Sequence, residues 1–293
     1  MDVQPGPGKA RVHEFTRHRV WLVTGASSGF GRAITEAAVA AGDTVVAAAR
    51  RTEALAELAA AHPGQVEALA LDVTAPGTDL TAALDDVVAR HGRLDVLVNN
   101  AGRTQVGALE ETTEDELRAL FDLHVMGPAL LTRAALPHFR AQGAGAVVQM
   151  SSVGGQVTVP GFGVYCATKF ALEGLTETVA QECPHVRFLV VEPGAFRTEL
   201  FRPGAAVIST PMPEYEDTVG PTRAFVSGGD GTQPGDPDKA AAAIVRTLDA
   251  EEAPLRLPLG RDAVTGIRAR LTGIADDLDR WEPVSTSTDR DDA

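Results

Sequence analysis

The stretch RVWLVTGASSGFGRAITEAAVAAG, residues 19–42, decides the fold of the chain. The apolar run at 19–25 predicts a buried strand, and FGRAITEAAVAAG at 30–42 predicts a helix that ends at Gly42. Between them, Gly25, Gly29 and Gly31 allow a sharp turn and a close approach to a pyrophosphate at the helix N-terminus. A tight turn without a ligand would also use glycines, but the position directly after the first strand favours nucleotide binding.

Outward from this stretch, short apolar runs alternate with longer alanine-rich segments. Strand, helix, strand order with fully apolar strands is typical of a parallel sheet with right-handed crossovers and helices on both faces. The further predicted strands are TVVAAAR (44–50), VEALALDV (66–73), LDVLVNNAG (94–102), AVVQMSS (146–152), VRFLVVEPG (186–194) and PLRLPL (254–259). We therefore predict an α/β fold, a single doubly wound, Rossmann-type domain.

The ends of this domain are predicted from polar, proline-bearing segments. The domain is expected to cover residues 19–280, with flexible tails at 1–18 and 281–293. Residues 199–236, rich in Pro, Gly and Thr, are too long an irregular stretch for a simple connection, and we predict a substrate-loop region there.

Composition limits the function classes. The formal net charge of −14 argues against nucleic acid or an anionic membrane as the main partner, and favours small molecules. The two cysteines, Cys166 and Cys183, have neither metal-site nor disulfide-framework spacing, so we expect no metal. The N-terminal residues lack an apolar signal region, and no apolar run is long enough to span a membrane. A cytoplasmic protein is the expectation.

The end of the second strand predicts the choice of dinucleotide. An acid at this point prefers the free 2′-hydroxyl of NAD, whereas here Ala49 is followed by Arg50 and Arg51. Two guanidinium groups can pair with a 2′-phosphate by charge-assisted hydrogen bonds, so NADP(H) is favoured over NAD(H). The alternative is that both arginines only solvate a strand end.

A second stretch, YCATKF at 165–170, carries candidate chemistry. In a helix, Tyr165 and Lys169 lie on the same face. A tyrosine titrates near pH ~10, and an adjacent cation favours the phenolate and so proton transfer. Alternatively, Tyr and Lys share helix faces by chance. The adjacent Cys166 is interpreted as a small packing residue.

Six segments together resemble the short-chain dehydrogenase/reductase family, in its Tyr-x-x-x-Lys branch. They occur in family order and with family spacing, and Ser152 lies thirteen residues before Tyr165. The segments are TGASSGFG (24–31), LDVT (71–74), NNAG (99–102), SS (151–152), YCATK (165–169) and PGAFRT (193–198). The resemblance covers residues 19 to about 200.

The resemblance implies specific roles. Tyr165 would exchange a proton with the carbonyl or alcohol oxygen, Ser152 would hold that oxygen, and Lys169 would lower the phenol pKa and bind the nicotinamide ribose. With Arg50 and Arg51 from the argument above, the expected cofactor-binding residues are Gly25, Ser27, Ser28, Gly29, Phe30, Gly31, Asp72, Val73, Asn99, Ala101, Gly102, Tyr165, Lys169, Pro193, Gly194, Phe196 and Thr198. Ser28 stands where many NADP-using relatives have a basic residue, so the NADP(H) prediction rests on the two arginines.

The chain departs from the family at His124, where the family usually has an asparagine that positions a water in a proton relay. A neutral imidazole can accept one hydrogen bond and donate another, so His124 could hold the water or relay the proton itself. Alternatively, it is a packed helix residue and the relay runs elsewhere. The departure concerns the relay and leaves the Ser-Tyr-Lys set intact.

These residues predict an NADP(H)-dependent oxidoreductase that interconverts a ketone or aldehyde and an alcohol. The apolar residues of 199–236 could close over an apolar substrate or pack among themselves; they are Phe201, Val207, Ile208, Met212, Tyr215 and Phe225. Alternatives are a nucleotide-binding sensor or scaffold with little turnover, and a reaction without net redox change, such as epimerisation. The resemblance also implies that the helices holding His124 and Tyr165 pair across a two-fold axis, giving a homodimer or homotetramer.

Overall fold

The computed structural model describes residues 18–75, 79–202 and 204–290. The predicted N-terminal tail, apart from residue 18, and the last three residues of the predicted C-terminal tail lie outside the described residues.

A seven-stranded sheet forms the centre of the protein. Its order is β3-β2-β1-β4-β6-β7-β9, and every neighbouring pair is parallel. A small second sheet pairs β5 with β8. The strands are β1 Val20–Thr24, β2 Thr44–Ala49, β3 Val66–Ala70, β4 Val96–Asn99, β5 Gln105–Val106, β6 Gly145–Met150, β7 Val186–Pro193, β8 Val207–Ile208 and β9 Arg256–Leu259. Each of the seven strands predicted from apolar runs is confirmed.

Helices cover both faces of the large sheet. Trp21 and Val23 of β1 pack with Ile34 on one face, while the intervening Leu22 packs with Phe139 on the other. This alternation follows from the two-residue period of a strand. The helices are α1 Gly29–Ala40, α2 Ala56–Ala61, α3 Leu80–His91, α4 Glu114–Phe121, α5 Gly127–Gln142, α6 Gly163–Glu182, α7 Glu216–Gly228, α8 Pro237–Leu248 and α9 Arg261–Thr286. The predicted doubly wound α/β fold is confirmed.

The strand order places the functional end of the molecule. Strands β2 and β3 are added on one side of β1, and the later strands are added on the other side, beginning with β4. This reversal of strand order leaves a crevice outside the carboxyl ends of β1 and β4. The glycine turn after β1 and the loops after β4, β6 and β7 all leave the sheet at this edge. The residues singled out in the sequence are therefore gathered at one edge of one sheet.

Two segments differ in secondary structure from the sequence prediction. Residues 199–236 are not irregular, because they contain α7 and the strand β8. Gly220 and Pro221 lower the helix propensity of α7, but burial of Val219 and Val226 overrides it. Residues 281–286, predicted as part of a flexible tail, are helical, because α9 continues to Thr286 through Pro283. That proline forgoes only one backbone hydrogen bond near the helix end.

Neither a membrane span nor a metal cluster is found in the part of the chain that the structure describes. None of the described helices combines the length and apolarity needed to cross a bilayer. Within the same residues, no three His, Cys, Asp or Glu side chains come together in a grouping that could hold a metal ion. Cys166 is buried and Cys183 is partly exposed, and both are free thiols.

Candidate active site

The glycine turn between β1 and α1 depends on the missing side chains. Gly25 and Gly29 have φ angles of 64° and 52°, in the left-handed region that favours glycine. A Cβ at Gly31 would lie 2.2 Å from the carbonyl oxygen of Gly25, so no larger residue fits there. The turn therefore brings the backbone to the start of α1 more closely than side chains would allow.

The N-terminus of α1 is open to a ligand. Ser28 occupies the capping position with extended backbone, but its side chain makes no capping hydrogen bond, and the first turn contains no acidic residue. The first amides of a helix lack partners within the helix and carry a partial positive charge. Ser27, Ser28 and Phe30 all keep intermediate exposure around this end. The arrangement fits the pyrophosphate of a dinucleotide.

Asn100, which the sequence analysis did not assign, holds the glycine turn. Its Nδ2 donates to the carbonyl oxygens of Thr24 at 2.9 Å and Gly25 at 3.2 Å. By contrast, Asn99 is 4% exposed and its Nδ2 points to α5, donating to Thr132 Oγ1 at 3.2 Å. Because adjacent residues of a strand face opposite sides, the sequence could have predicted that the two asparagines contact different parts of the protein. Asn99 therefore supports the helix layer, while Asn100 supports the turn.

Ala101 and Gly102 follow Asn100 in the same loop. The amide of Ala101 donates to Thr24 Oγ1 at 3.1 Å, so this loop is fixed to the end of β1. A Cβ at Gly102 would lie 3.2 Å from His124 Nε2, which leaves room for little more than glycine. The predicted cofactor loop after β4 thus lies between the glycine turn and His124.

The residues predicted for the adenosine end of the site lie at the carboxyl ends of β2 and β3. Arg50 and Arg51 directly follow β2 and are exposed, as a 2′-phosphate ligand would require. After β3, Asp72 Oδ1 accepts from the amide and hydroxyl of Thr74 at 2.9 and 2.8 Å, which fixes the turn. Val73 packs against Gly127, where an added Cβ would be 3.1 Å from Val73 Cγ2.

The loop after β7 lies against the glycine turn. The rings of Phe196 and Phe30 have centroids 5.2 Å apart, and a Cβ at Gly29 would lie 3.3 Å from Thr198 Cβ. The amide of Gly194, which follows Pro193, donates to the carbonyl oxygen of Leu259 at 2.9 Å. The predicted pyrophosphate and nicotinamide segments are therefore neighbours in space.

Asp262, in the first turn of α9, is a second residue that the sequence analysis missed. Its Oδ2 accepts from the amide of Ala195 at 2.7 Å, and a Cβ at Gly194 would lie 2.2 Å from that oxygen. No short-range sequence signal links positions 67 residues apart, so only the fold reveals this contact. Asp262 fixes the loop that carries the predicted nicotinamide-binding residues.

A cavity of about 390 Å³ opens beside the glycine turn, between α1 and the loop after β7. Gly29 and Thr198 line it together with charged residues such as Arg32 and Arg197. Tyr165 is not among its lining residues, so this cavity is not where a substrate would meet the candidate catalytic side chains.

The three candidate catalytic side chains lie together. Helix α6 places Tyr165 and Lys169 on one face, with Lys169 Nζ 5.7 Å from the centroid of the tyrosine ring. Ser152 precedes a short 3₁₀ helix, its Oγ accepts from the amide of Gly154 at 3.1 Å, and it lies close enough to the Tyr165 hydroxyl to act on the pKa of the phenol, in the lowering direction. Strand β6 and helix α6 thus bring together three residues that are apart in the sequence.

Burial controls the electrostatics of this group. Burial raises the pKa of Tyr165 to about 12, although the nearby Ser152 hydroxyl acts in the opposite direction. Burial also lowers the pKa of Lys169 to about 8, which the carboxylate of Glu173 partly offsets. Lys169 Nζ donates to the carbonyl oxygen of Met150 at 2.9 Å. The pKa of Tyr165 therefore lies above its usual value because desolvation of the phenol dominates, and the effect of Lys169 on the phenol stays a prediction.

His124 lies in a π-helical turn, Asp122–Met126, between α4 and α5, and is 1% exposed. Its Nε2 accepts from the amide of Arg103 at 3.2 Å, so its Nδ1 carries the proton and donates to Thr168 Oγ1 at 2.9 Å. Burial, helped by the charge of Lys169, holds the His124 pKa well below its usual range. Both ring nitrogens are committed to the protein, which favours packing over a relay.

His124 acts on the tyrosine through two contacts. Its ring meets that of Tyr165 edge to face, with centroids 5.6 Å apart. Thr168 accepts the hydrogen bond from the imidazole N–H, and its own hydroxyl donates a hydrogen bond to the carbonyl oxygen of Tyr165 at 2.7 Å. The imidazole therefore fixes the position of the α6 turn that carries the phenol.

Glu173, one helical turn after Lys169, fixes the serine segment and was not predicted. Its Oε1 accepts from Ser151 Oγ at 2.5 Å, and its Oε2 accepts from Gln156 Nε2 and from Arg256 Nη1. Ser151 and Gln156 stand on either side of Ser152. The same guanidinium donates to Glu192 Oε1 at 3.0 Å, which connects this group to β7.

The doubly wound sheet, the open helix end beside a glycine turn, and the buried phenol next to an ammonium group together define an oxidoreductase of the Rossmann type. The sequence model of the short chain dehydrogenases matches residues 19–206. This match spans more than half of the chain, and the protein belongs to that family.

Solved structures agree with this family. A short-chain dehydrogenase from Streptomyces avermitilis is 59% identical, with a TM-score of 0.88, and the match covers 93% of this chain and 100% of that one. An alcohol dehydrogenase from Thermococcus sibiricus, complexed with 5-hydroxy-NADP, is 26% identical with a TM-score of 0.67, covering 83% and 95% of the two chains. A short chain dehydrogenase/reductase from Burkholderia phymatum, in complex with NAD, is 26% identical with a TM-score of 0.77, covering 91% and 97%. Nicotinamide dinucleotides of both kinds thus occur in similar structures.

Proposed function

We propose that the protein interconverts a ketone or aldehyde and an alcohol by hydride transfer, with NADP(H) as cofactor. The observation that carries the proposal is the contact of Ser152, Tyr165 and Lys169 at the carboxyl edge of the sheet. A bound nicotinamide would supply or accept the hydride.

The protein's own groups would handle the oxygen and its proton. Because the pKa of Tyr165 is raised to about 12, its hydroxyl is protonated at neutral pH and can donate to a carbonyl oxygen. The Ser152 hydroxyl would hold the same oxygen by a hydrogen bond. Lys169, while protonated, would stabilise the phenolate that proton transfer leaves behind. This order favours reduction of the carbonyl.

The preference for NADP(H) over NAD(H) is supported by charge. Arg50 and Arg51 are exposed at the end of β2, and Ala49 stands where an acid would favour NAD. Guanidinium groups suit a 2′-phosphate because they donate two hydrogen bonds in one plane. Among the similar structures with cofactors, one holds an NADP derivative and others hold NAD or NADH, so the arginines carry this proposal.

An apolar substrate is supported by the region 199–236. Phe201 and Phe225 pack edge to face with centroids 5.5 Å apart, while Val219 and Val226 form a small core with Val106. The alternative in which these side chains pack among themselves is therefore favoured for the two phenylalanines. Phe162 packs against this small core and its ring centroid lies 5.8 Å from that of Tyr165, so the region contributes to an apolar wall beside the phenol.

A buried ion pair anchors this wall. Arg223 of α7 donates to both carboxylate oxygens of Glu111, at 3.1 and 2.9 Å. Burial alone raises the pKa of Glu111, but hydrogen bonds from the amides of Met212 and Ala108, together with Arg223, outweigh it and lower the pKa. Glu111 is thus charged at neutral pH, and the wall is tied to the body of the domain.

Assembly and location follow as further parts of the proposal. Helix α6 leaves Phe170 43% exposed among small residues, including Ala167 and Gly174 on the same side. We infer pairing of α5 and α6 across a two-fold axis, which gives a homodimer or homotetramer. Two free thiols and a small-molecule substrate are consistent with a reducing, cytoplasmic setting.

The test is NADPH oxidation with a panel of apolar cyclic and aromatic ketones and aldehydes. Replacing Arg50 and Arg51 together with alanine should raise the KM for NADPH roughly tenfold or more, because two charge-assisted hydrogen bonds are lost. The KM for NADH should change little. The exposed Arg246 at the end of α8 offers a matched control, and Arg246→Ala should change neither value. Turnover that prefers NADH and ignores the two arginines would overturn the cofactor proposal.

A further inference from the structure

Helix α9 leaves the domain after its second turn. Ala263 and Ile267 are buried against the domain, but every residue from 268 to 286 is exposed. At 1.5 Å per residue, this exposed part extends about 28 Å. The second half of α9 therefore makes few contacts with its own domain.

Helix α9 carries an apolar stripe that runs from its packed first turns into its exposed part. Its residues alternate in steps of three and four: Val264, Ile267, Leu271, Ile274, Leu278 and Trp281. This is the spacing of the core positions of a coiled coil, which face a second helix. Leu271, Ile274, Leu278 and Trp281 are 54, 45, 65 and 58% exposed. Such a stripe is typical of an interface, since soluble monomers rarely expose one.

Charges on both sides of the stripe indicate what covers it. Arg268 and Arg270 flank its first half, and Asp277 and Glu282 flank its second half. Two antiparallel copies aligned with Leu271 opposite Trp281 place Arg268 of each helix beside Glu282 of the other, and these two opposite-charge pairs outnumber the single contact between the two Asp277 side chains at the centre. In a parallel pair, Asp277 of one copy would face Glu282 of the other, and like charges would repel. The charge pattern is thus complementary to itself in the antiparallel direction.

We propose that α9 pairs with α9 of a second copy of this chain as an antiparallel two-helix coiled coil. Because Ile267 is already covered by its own domain, the overlap begins at Leu271. Leu271 then packs against Trp281 of the second copy, and Ile274 against Leu278 of the second copy. The contact is the same on both chains, as two-fold symmetry requires.

This interface is separate from the proposed pairing of α5 and α6, so the two can be tested independently. An anionic membrane is a poor partner for the stripe, because acidic side chains in the second half of the exposed part of α9 would be repelled by it. These acidic residues are Asp276, Asp277, Asp279 and Glu282. A second copy offers both the apolar surface and the opposite charges.

The first experiment measures the mass of the full chain by light scattering after size exclusion. Leu271→Glu with Leu278→Glu should halve the mass of the assembly. The matched control is Ala269→Glu with Thr272→Glu, which adds the same charge on the opposite side of the helix and should leave the mass unchanged. All four residues are exposed, and circular dichroism and NADPH turnover verify the fold. An unchanged mass in the leucine variant would overturn the proposal.

A charge exchange tests the direction of pairing. Because Arg268 lies beside Glu282 of the second copy only in the antiparallel pair, Arg268→Glu should lower the mass, and adding Glu282→Lys should restore it. In a parallel pair Arg268 lies opposite Ala263, so Arg268→Glu alone would leave the mass unchanged. An unchanged mass in Arg268→Glu contradicts the antiparallel arrangement. Sedimentation with phosphatidylcholine and phosphatidylglycerol vesicles that is lost in the leucine variant, without a change in mass, would assign the stripe to a membrane instead.

Discussion

The two edges of the large sheet use buried charges in opposite ways. At the amino-terminal edge, Arg19 Nε lies 2.8 Å from Asp43 Oδ2, and Trp21 Nε1 donates to the same oxygen at 2.8 Å. Asp95 there accepts from the amide of Val20 at 2.8 Å. At the carboxyl edge, Lys169 is held by a backbone carbonyl rather than by a carboxylate.

The difference shows where the protein stabilises its fold and where it holds chemistry. Ion pairs at the amino edge offset the desolvation of Arg19 and Asp43, both about 5% exposed or less. At the carboxyl edge the partly buried pair of Glu173 and Arg256 fixes the serine segment, whereas Tyr165 and Lys169 form no direct ion pair within the described residues, and burial moves the pKa of Tyr165 up and that of Lys169 down. Parallel strands make this division possible because all their carboxyl ends meet at one edge.

The largest expected effect comes from removing one oxygen at the carboxyl edge. Tyr165→Phe should lower kcat/KM by about 10²- to 10⁴-fold, because it removes the acid that protonates the substrate oxygen. Its thermal midpoint should stay close to that of the wild type. The other tyrosine supplies the control: Tyr215 is bonded to Glu110 at 2.6 Å, and Tyr215→Phe should leave turnover nearly unchanged. Retained turnover in the Tyr165 variant would remove the proposed mechanism.

The amino edge should respond in stability instead. Asp43→Asn is expected to lower the free energy of unfolding by about 2 kcal/mol, because Arg19 and Trp21 lose a charged acceptor while Arg19 keeps its ion pair with Asp249. Urea titration measures this change, and kcat/KM below the unfolding range should stay unchanged. Glu114→Gln, which breaks an exposed pair with Arg118, is the control and should cost well under 1 kcal/mol. If Asp43→Asn impaired turnover without loss of stability, the contrast between the edges would not hold.

The smallest effect on turnover is expected at His124. Since both its nitrogens are bonded to the protein, His124→Asn should change kcat/KM far less than Tyr165→Phe does. The pH-rate profiles of wild type and variant should superimpose. A profile that shifts with the substitution would return His124 to the proton relay.

His124 also predicts a pH dependence of stability. Its pKa in the folded state lies well below 6.5, so the unfolded chain binds a proton that the fold does not. The wild type should therefore lose stability as the pH falls below about 6.5, and His124→Asn should lose less over the same range. Urea unfolding at pH 5 to 7 measures the two slopes, and equal slopes would contradict the low pKa.

Periodicity and punctuation predicted the sheet well. Apolar runs located β1, β2, β4, β6 and β7 because strands buried on both faces are continuous in sequence. Family spacing brought Ser152, Tyr165 and Lys169 together correctly, since a helix fixes one distance and a strand the other.

Contacts distant in sequence could not be predicted in this way. Asp262 and Glu173 reach the site across the fold, and no local pattern announces a hydrogen bond between residues 67 apart. The raised phenol pKa could not be predicted, because the sequence shows a neighbouring cation but not the loss of solvent around both groups. Helix α7 was missed because burial of two valines outweighs a glycine and a proline.

Helix α9 links the carboxyl edge of the sheet to the exposed apolar stripe. Its first turn holds the loop of Ala195 through Asp262, and its last turns extend into solvent with an apolar stripe. A shift of the helix along its axis would move the carboxylate that fixes the predicted nicotinamide loop.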